Sequence, residues 1–228
     1  MEIINLNRQH PSIIYSTNSF VLSFQELKDI WLFNCCQGCQ HKMEKTHLKI
    51  SQISKIFITE LNIHNISGLL GLLSSLSLIN RRKIMHIYAT RGLEKYLELG
   101  KRYSQTNFRY HLYFHTLSTG FIMNSNNYHV YNFSSNLKCE FLLISREKYG
   151  KFQLQKAKKF NLATGPLYGK LKNDYSFLLP DGSILQGYNF TNQNNPGNKI
   201  SIIMQKYHTR NSKEISYESK ILAKTLVI

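Results

Sequence analysis

An α/β fold with a large share of sheet is what this sequence predicts, and three observations carry that reading. Short apolar runs rich in β-branched and aromatic residues recur along the chain, such as Phe20–Phe24 (FVLSF) and Ile56–Thr59 (IFIT). Between them lies helical spacing: Leu69, Leu72, Leu73 and Leu76 fall at i, i+3, i+4 and i+7 on one face. The chain has 228 residues, 42% hydrophobic and 12% aromatic, enough for one generous domain or two small ones.

The elements follow in order. Phe20–Phe24 and Trp31–Asn34 (WLFN) read as strands around the polar turn QELKD. WLFNCCQGCQHKMEK then runs from strand into a helix. Ile56–Thr59 is short and apolar, as for a buried strand. A polar loop over Glu60–Asn65 precedes a helix from about Ile66, with Ser67 as its N-cap. Ile84–Ala89 is a strand, and Gly92–Leu99 suits a helix. Phe108, Tyr110, Leu112 and Phe114 alternate with polar residues, the mark of a half-buried strand. Tyr128–Phe133 and Phe141–Ile144 are further strands, and Gln153–Phe160 reads as a helix. Phe177–Leu179 and Ser183–Leu185 flank Pro180-Asp181-Gly182, a hairpin signal. Asn189–Asn198 is a polar loop, and Lys199–Met204 is the last clear strand.

Several functional classes are disfavoured at once. No apolar run reaches the ~18 residues of a membrane span; Ile66–Ile79 is too short and broken by serines and glycines. The N-terminus has no charged-then-apolar layout of a secretory signal. The four cysteines, three of them clustered at Cys35, Cys36 and Cys39, match a disulfide framework poorly. Cys36-Gln37-Gly38-Cys39 is a CxxC, but zinc ribbons use two such pairs; His41 and His47 are the nearby residues that would complete a site.

Charge points to polyanions. Lys and Arg number 29 against 13 acids, a net +16, and only Asp29, Asp174 and Asp181 are aspartates. Eight cations and one anion lie between Arg146 and Lys172, which is +7 in 27 residues. Such a segment suits phosphate contacts, which drive affinity by releasing counterions. It also carries Tyr149, Phe152, Phe160 and Tyr168, rings that can stack on exposed bases, around a turn-rich centre at Gly165-Pro166 and Gly169. The bias toward Lys, Asn, Ile and Ser suits an AT-rich genome and inflates the lysine count.

Three stretches together resemble the ribonuclease Z family, metallo-β-lactamase-fold nucleases that trim the 3′ ends of tRNA precursors. They are Trp31–Gln40 (WLFNCCQGCQ), Lys55–Leu97 and Tyr149–Gly182, the last with KAKxxxxxxGPLYGKL from Lys156 to Leu171. The resemblance covers nearly the whole chain and is greatest to plastid-encoded algal members. It implies a single domain over 1–228 with an αββα sandwich, truncated at the C-terminus, and a basic exosite-like arm over 146–182. It also implies a soluble plastid protein, off the membrane, that forms a homodimer or pairs with an intact paralogue.

The family's HxHxDH loop holds two zinc ions that activate a water. Here the loop reads Glu60-Leu61-Asn62-Ile63-His64-Asn65. Glu60 and Asn62 stand where the leading histidines would, His64 where the acid would, and Asn65 where the last histidine would. Further ligand positions fall at Ser134 and Gln205, and Asn34 replaces an acid in the WLFDCGEG-like turn. Asn, Ser and Gln are neutral, weak ligands. The reading is therefore a pseudoenzyme that needs no cofactor. The arm keeps its cations, so Lys156, Lys158, Lys159, Gly165, Pro166, Tyr168, Lys170 and Lys172 are the residues for tRNA or other structured RNA. The alternatives are an active tRNA 3′ endonuclease with an altered metal site, using Glu60, His64 and His86, His115 or His208, and an interaction subunit of an intact paralogue.

Overall fold

The computed structural model describes residues 2–6, 19–125, 128–135, 138–179, 182–194, 197–203 and 210–223. The chain opens with β1 (Glu2–Asn5), β2 (Phe20–Phe24) and β3 (Asp29–Phe33), an antiparallel trio. Then α1 (Cys39–Lys45), β4 (Ile53–Phe57), α2 (Ile63–Ile66), α3 (Leu69–Leu78), β5 (Met85–Ala89), α4 (Leu93–Ser104) and β6 (Leu112–Thr116) alternate. β3, β4, β5 and β6 are parallel, and parallel neighbours require crossovers, which the helices supply. The result is a six-stranded sheet in sequence order.

A second sheet is built from β7 (Gly120–Ser125), β8 (Tyr128–Ser135) and β9 (Lys138–Ser145). After β9 come α5 (Leu154–Lys159), α6 (Pro166–Lys172), β10 (Phe177–Leu178) and β11 (Ile184–Leu185). β12 (Lys199–Ile203), α7 (Arg210–Ile215) and β13 (Lys220–Ala223) complete it, in the order β13-β12-β9-β8-β7.

Two cores explain the layering. On one face of the first sheet, Leu32, Ile56 and Ile87 pack against Met43, Leu72, Leu76 and Leu97 of the helices. On the other, Trp31, Phe33, Phe57 and Tyr88 meet Val130, Phe141, Leu143 and Ile202 of the second sheet. The aromatic stack Phe20–Phe33–Phe57–Tyr88 runs across four strands with centroids 4.6–4.8 Å apart. Each buried ring contributes about 1.5–3 kcal/mol from burial alone.

The structure corrects several boundaries. The helix placed from Ile66 is two helices, α2 capped by Asn62 and α3 preceded by Gly68, so Ser67 is no N-cap. At the junction a Cβ on Gly68 would sit 2.2 Å from the Cys36 carbonyl oxygen, so only glycine fits where the chain passes the link after β3. The alternating stretch from Phe108 is strand only from Leu112, although Tyr110 still enters the core. The turn-rich centre at Gly165 is the start of α6, because Pro166 fits the first helical turn where its missing N–H costs nothing. β1, β7 and β13 are strands beyond those the sequence pattern marks. Met204, Pro180 and Asp181 lie outside the described residues.

Candidate functional site

Parallel strands deliver their following loops to one end of the sheet, the end where α/β folds gather functional groups. Asn34, directly after β3, is fully buried and holds φ 55°, a left-handed conformation that asparagine tolerates. Its Oδ1 accepts from the Thr59 amide at 2.9 Å and from Thr59 Oγ1 at 3.0 Å. The Thr59 carbonyl in turn accepts from the Cys139 amide of β9 at 2.8 Å. One residue on, Glu60 bridges Lys138, whose Nζ lies 3.7 Å from Glu60 Oε1. The two sheets are thus tied together at the motif loop.

The other loop residues also serve the backbone. Asn62 Oδ1 accepts from the His64 amide at 3.2 Å, while the His64 ring is exposed. Buried Asn65 donates from Nδ2 to the Glu60 carbonyl at 3.3 Å, and its own carbonyl accepts from the Cys35 amide at 2.6 Å. Ser134 is exposed on β8 and its amide donates to Thr119 Oγ1 at 3.1 Å. Gln205 and His208 lie outside the described residues. His86 and His115 pair with each other across β5 and β6, Nδ1 to Nε2 at 3.0 Å. Burial lowers both below the usual histidine range, and His115 and Lys55 push His86 further down. Among the described residues, no three His, Cys, Asp or Glu side chains converge as a metal site.

The CxxC is not the cysteine pair that forms. Cys35 and Cys39 face each other, Sγ to Sγ at 3.2 Å, while Cys36 Sγ accepts from Lys42 Nζ at 3.4 Å. All three are buried, whereas His41 and His47 are exposed, so no four-ligand group assembles there.

The basic segment folds on a core of its own. Ala157, Leu171, Leu185 and Phe190 are buried together, with Phe152, Leu162, Leu167 and Tyr168 packed around them. Tyr168 donates its hydroxyl to the Leu162 carbonyl at 2.7 Å and lays its ring 5.0 Å from Phe152, which makes it largely an internal prop. Lys156, Lys158, Lys159, Lys170 and Lys172 are exposed, as are Gly165 and Pro166 at the start of α6. Among the described residues none of these lysines is ion-paired; Lys156 Nζ donates to the Asn189 carbonyl at 3.3 Å. Exposed rings stand on the same segment, Tyr149, Phe160 and Tyr175, and Tyr188 follows just beyond it.

Sequence reasoning misses Lys138 as the partner of Glu60, because only the strand register of β9 against the loop brings them together. It also misses Tyr175 and Tyr188, which lie outside the dense run of cations.

Two packed sheets with helices over the first, and strand-end loops carrying the site, define a metallo-β-lactamase fold. The human short-form tRNase Z (ELAC1) superposes with a TM-score of 0.55 and 24% identity, covering 64% of this chain and 65% of that one. No family model matches the chain. Ribonuclease Z of Acaryochloris marina is 32% identical over 217 residues, 93% of this chain and 68% of that protein. The uncharacterised protein ycf56 of Porphyra purpurea is 37% identical over 215 residues, 93% of this chain and 81% of that protein. The chain belongs to the ribonuclease Z family.

Proposed function

We propose that this protein binds tRNA or other structured RNA through its basic arm and lacks two-zinc cleavage. The observation that carries the reading is the make-up of the motif loop, where Asn62 and Asn65 offer only neutral amides and the one carboxylate, Glu60, is paired with Lys138. Two divalent cations would have to sit beside an ammonium already matched to the one carboxylate of that loop. Asn62 and Asn65 offer neutral amides already committed to backbone bonds, and zinc favours imidazole, thiolate or carboxylate. These residues do not fit a dinuclear centre.

The arm supports the RNA half of the reading. Its lysines stand in solvent, without carboxylate partners among the described residues, and its exposed rings offer stacking surfaces. The domain reading follows: one ribonuclease Z-like unit over 1–228 with the arm, 146–182, as its grip. Relatives named ycf56 in Porphyra purpurea and Pyropia yezoensis support a plastid location. No helix among the described residues is long and apolar enough to cross a membrane.

The test is binding of a precursor tRNA across a salt series, with elemental analysis of the purified protein. Binding that falls steeply with salt, and less than one zinc per chain, supports the reading. Stoichiometric zinc with chelator-sensitive cutting at the 3′ side overturns it.

A further inference from the structure

We infer that Cys35 and Cys39 form a redox-modifiable dithiol that hydrogen peroxide closes to an intrachain disulfide, leaving Cys36 and Cys139 as thiols. The inference is independent of RNA binding.

The geometry carries it. The two sulfurs already lie 3.2 Å apart, so closure to the ~2.05 Å of an S–S bond needs about an ångström of movement. Cys35 sits in the irregular link between β3 and α1, and Cys39 is the first residue of α1 after Gly38, which holds φ 68°. Cys36, the CxxC partner by sequence, is turned away and takes the Lys42 ammonium at 3.4 Å. Cys139 is on β9 in the core between the sheets.

The two thiols are chemically unlike. Cys39 is lowered below the usual thiol range by the hydrogen bond from Cys35 and by Lys42, against the opposing effect of burial. Cys35 is raised, chiefly by burial. Cys39 is thus the nucleophile and Cys35 the resolving thiol. The Cys39 thiolate attacks one peroxide oxygen, the O–O bond breaks, and hydroxide leaves to take up a proton as water. Cys39 is then a sulfenic acid. Cys35 sulfur attacks it, the S–O bond breaks, and the Cys35 proton leaves with the hydroxyl as a second water. The two sulfurs give up two electrons and the peroxide accepts them. Both are buried, which disfavours bulky disulfides, so the reagent for closure is the small peroxide and it must reach the sulfurs through a local opening.

The bond would stiffen the loop that positions the motif. The Cys35 amide donates to the Asn65 carbonyl at 2.6 Å, and the Cys35 carbonyl accepts from the Gly68 amide at 3.0 Å. Oxidation therefore acts on the backbone that holds α2 and the start of α3.

The test uses the reduced full-length chain, treated with hydrogen peroxide, then alkylated under denaturing conditions and read by intact and peptide mass. The expected product has lost two hydrogens, has two alkylated cysteines, and reverts with dithiothreitol. C36A should oxidise in the same way, whereas C35A and C39A should not close, with C35A trapped by dimedone at Cys39. Circular dichroism identifies any variant that does not fold, and Cys35→Ser then replaces Cys35→Ala. A Cys36–Cys39 bond, dimers through Cys139, or a wild-type protein that keeps four alkylatable thiols overturns the inference.

Discussion

The strand-end mouth and the basic arm use polar residues in opposite ways. At the mouth, Asn34, Thr59, Asn65 and Glu60 are spent on one another, on backbone, or on Lys138. On the arm, lysines point outward and the packing is left to Phe152, Leu171 and Phe190. The first arrangement gives stability and leaves little capacity for a charged ligand. The second gives little stability and keeps its charge available. If the proposed function holds, one family scaffold has kept a grip and lost a blade, which the arm's separate core permits.

Substitutions should separate the regions, and the largest effect belongs to the arm. Replacing Lys156, Lys158 and Lys159 with Ala should weaken RNA binding across sequences. It should also flatten the log–log salt slope by about 2–3, near one for each phosphate left without its lysine. The melting temperature should stay within a degree or two, and a large fall would mean the lysines hold the fold instead.

Asn34→Ala should do the reverse. It strands the Thr59 donors in a buried site, which costs about 1–3 kcal/mol, and it puts alanine at positive φ. Urea unfolding should show the loss, with RNA affinity per folded molecule unchanged.

Acid should act through the His86–His115 pair. Both rings titrate below their unfolded value of about 6.5, so the unfolded chain binds protons first as pH falls. Their contribution is present above that pH and is lost as pH drops through the folded values. His86→Gln should blunt this decline between pH 7 and pH 5 in thermal melts; an unchanged profile would mean that other groups set the acid limit.

Lys138→Ala should have the smallest effect, at most about 1 kcal/mol, because its pair with Glu60 is partly solvated. It also sharpens the zinc question. If the ammonium alone keeps metal away, the variant should gain zinc; the expected result is that it does not, since Asn62 and Asn65 remain poor ligands.

Much of the fold is legible in the sequence because its signals are local. The IFIT run is continuously apolar because it is buried on both faces, while the leucine stripe of α3 and the alternation before Phe114 reflect burial on one face, and both patterns are recorded directly in the sequence. α6 reads as a turn because Gly165, Pro166 and Gly169 usually break helices, while their position at the first turn and on an exposed face permits one. β13 pairs in parallel with β12 and β1 lies at a sheet edge, and neither placement leaves a periodic trace. The motif loop is legible through family resemblance, but the roles of its residues are not. That Asn62 caps a helix, that Glu60 meets Lys138, and that Cys39 faces Cys35 rather than Cys36 depend on register and backbone turns.

That the arm grips RNA while the mouth cannot cut it is tested most directly by one gel. End-labelled precursor tRNA is incubated with the purified protein and zinc, and the native gel is read for mobility and for released fragments. The predicted result is a retarded band carrying intact label at low salt that disappears as salt rises. A released 3′ fragment, or no retarded band at low salt, would contradict it.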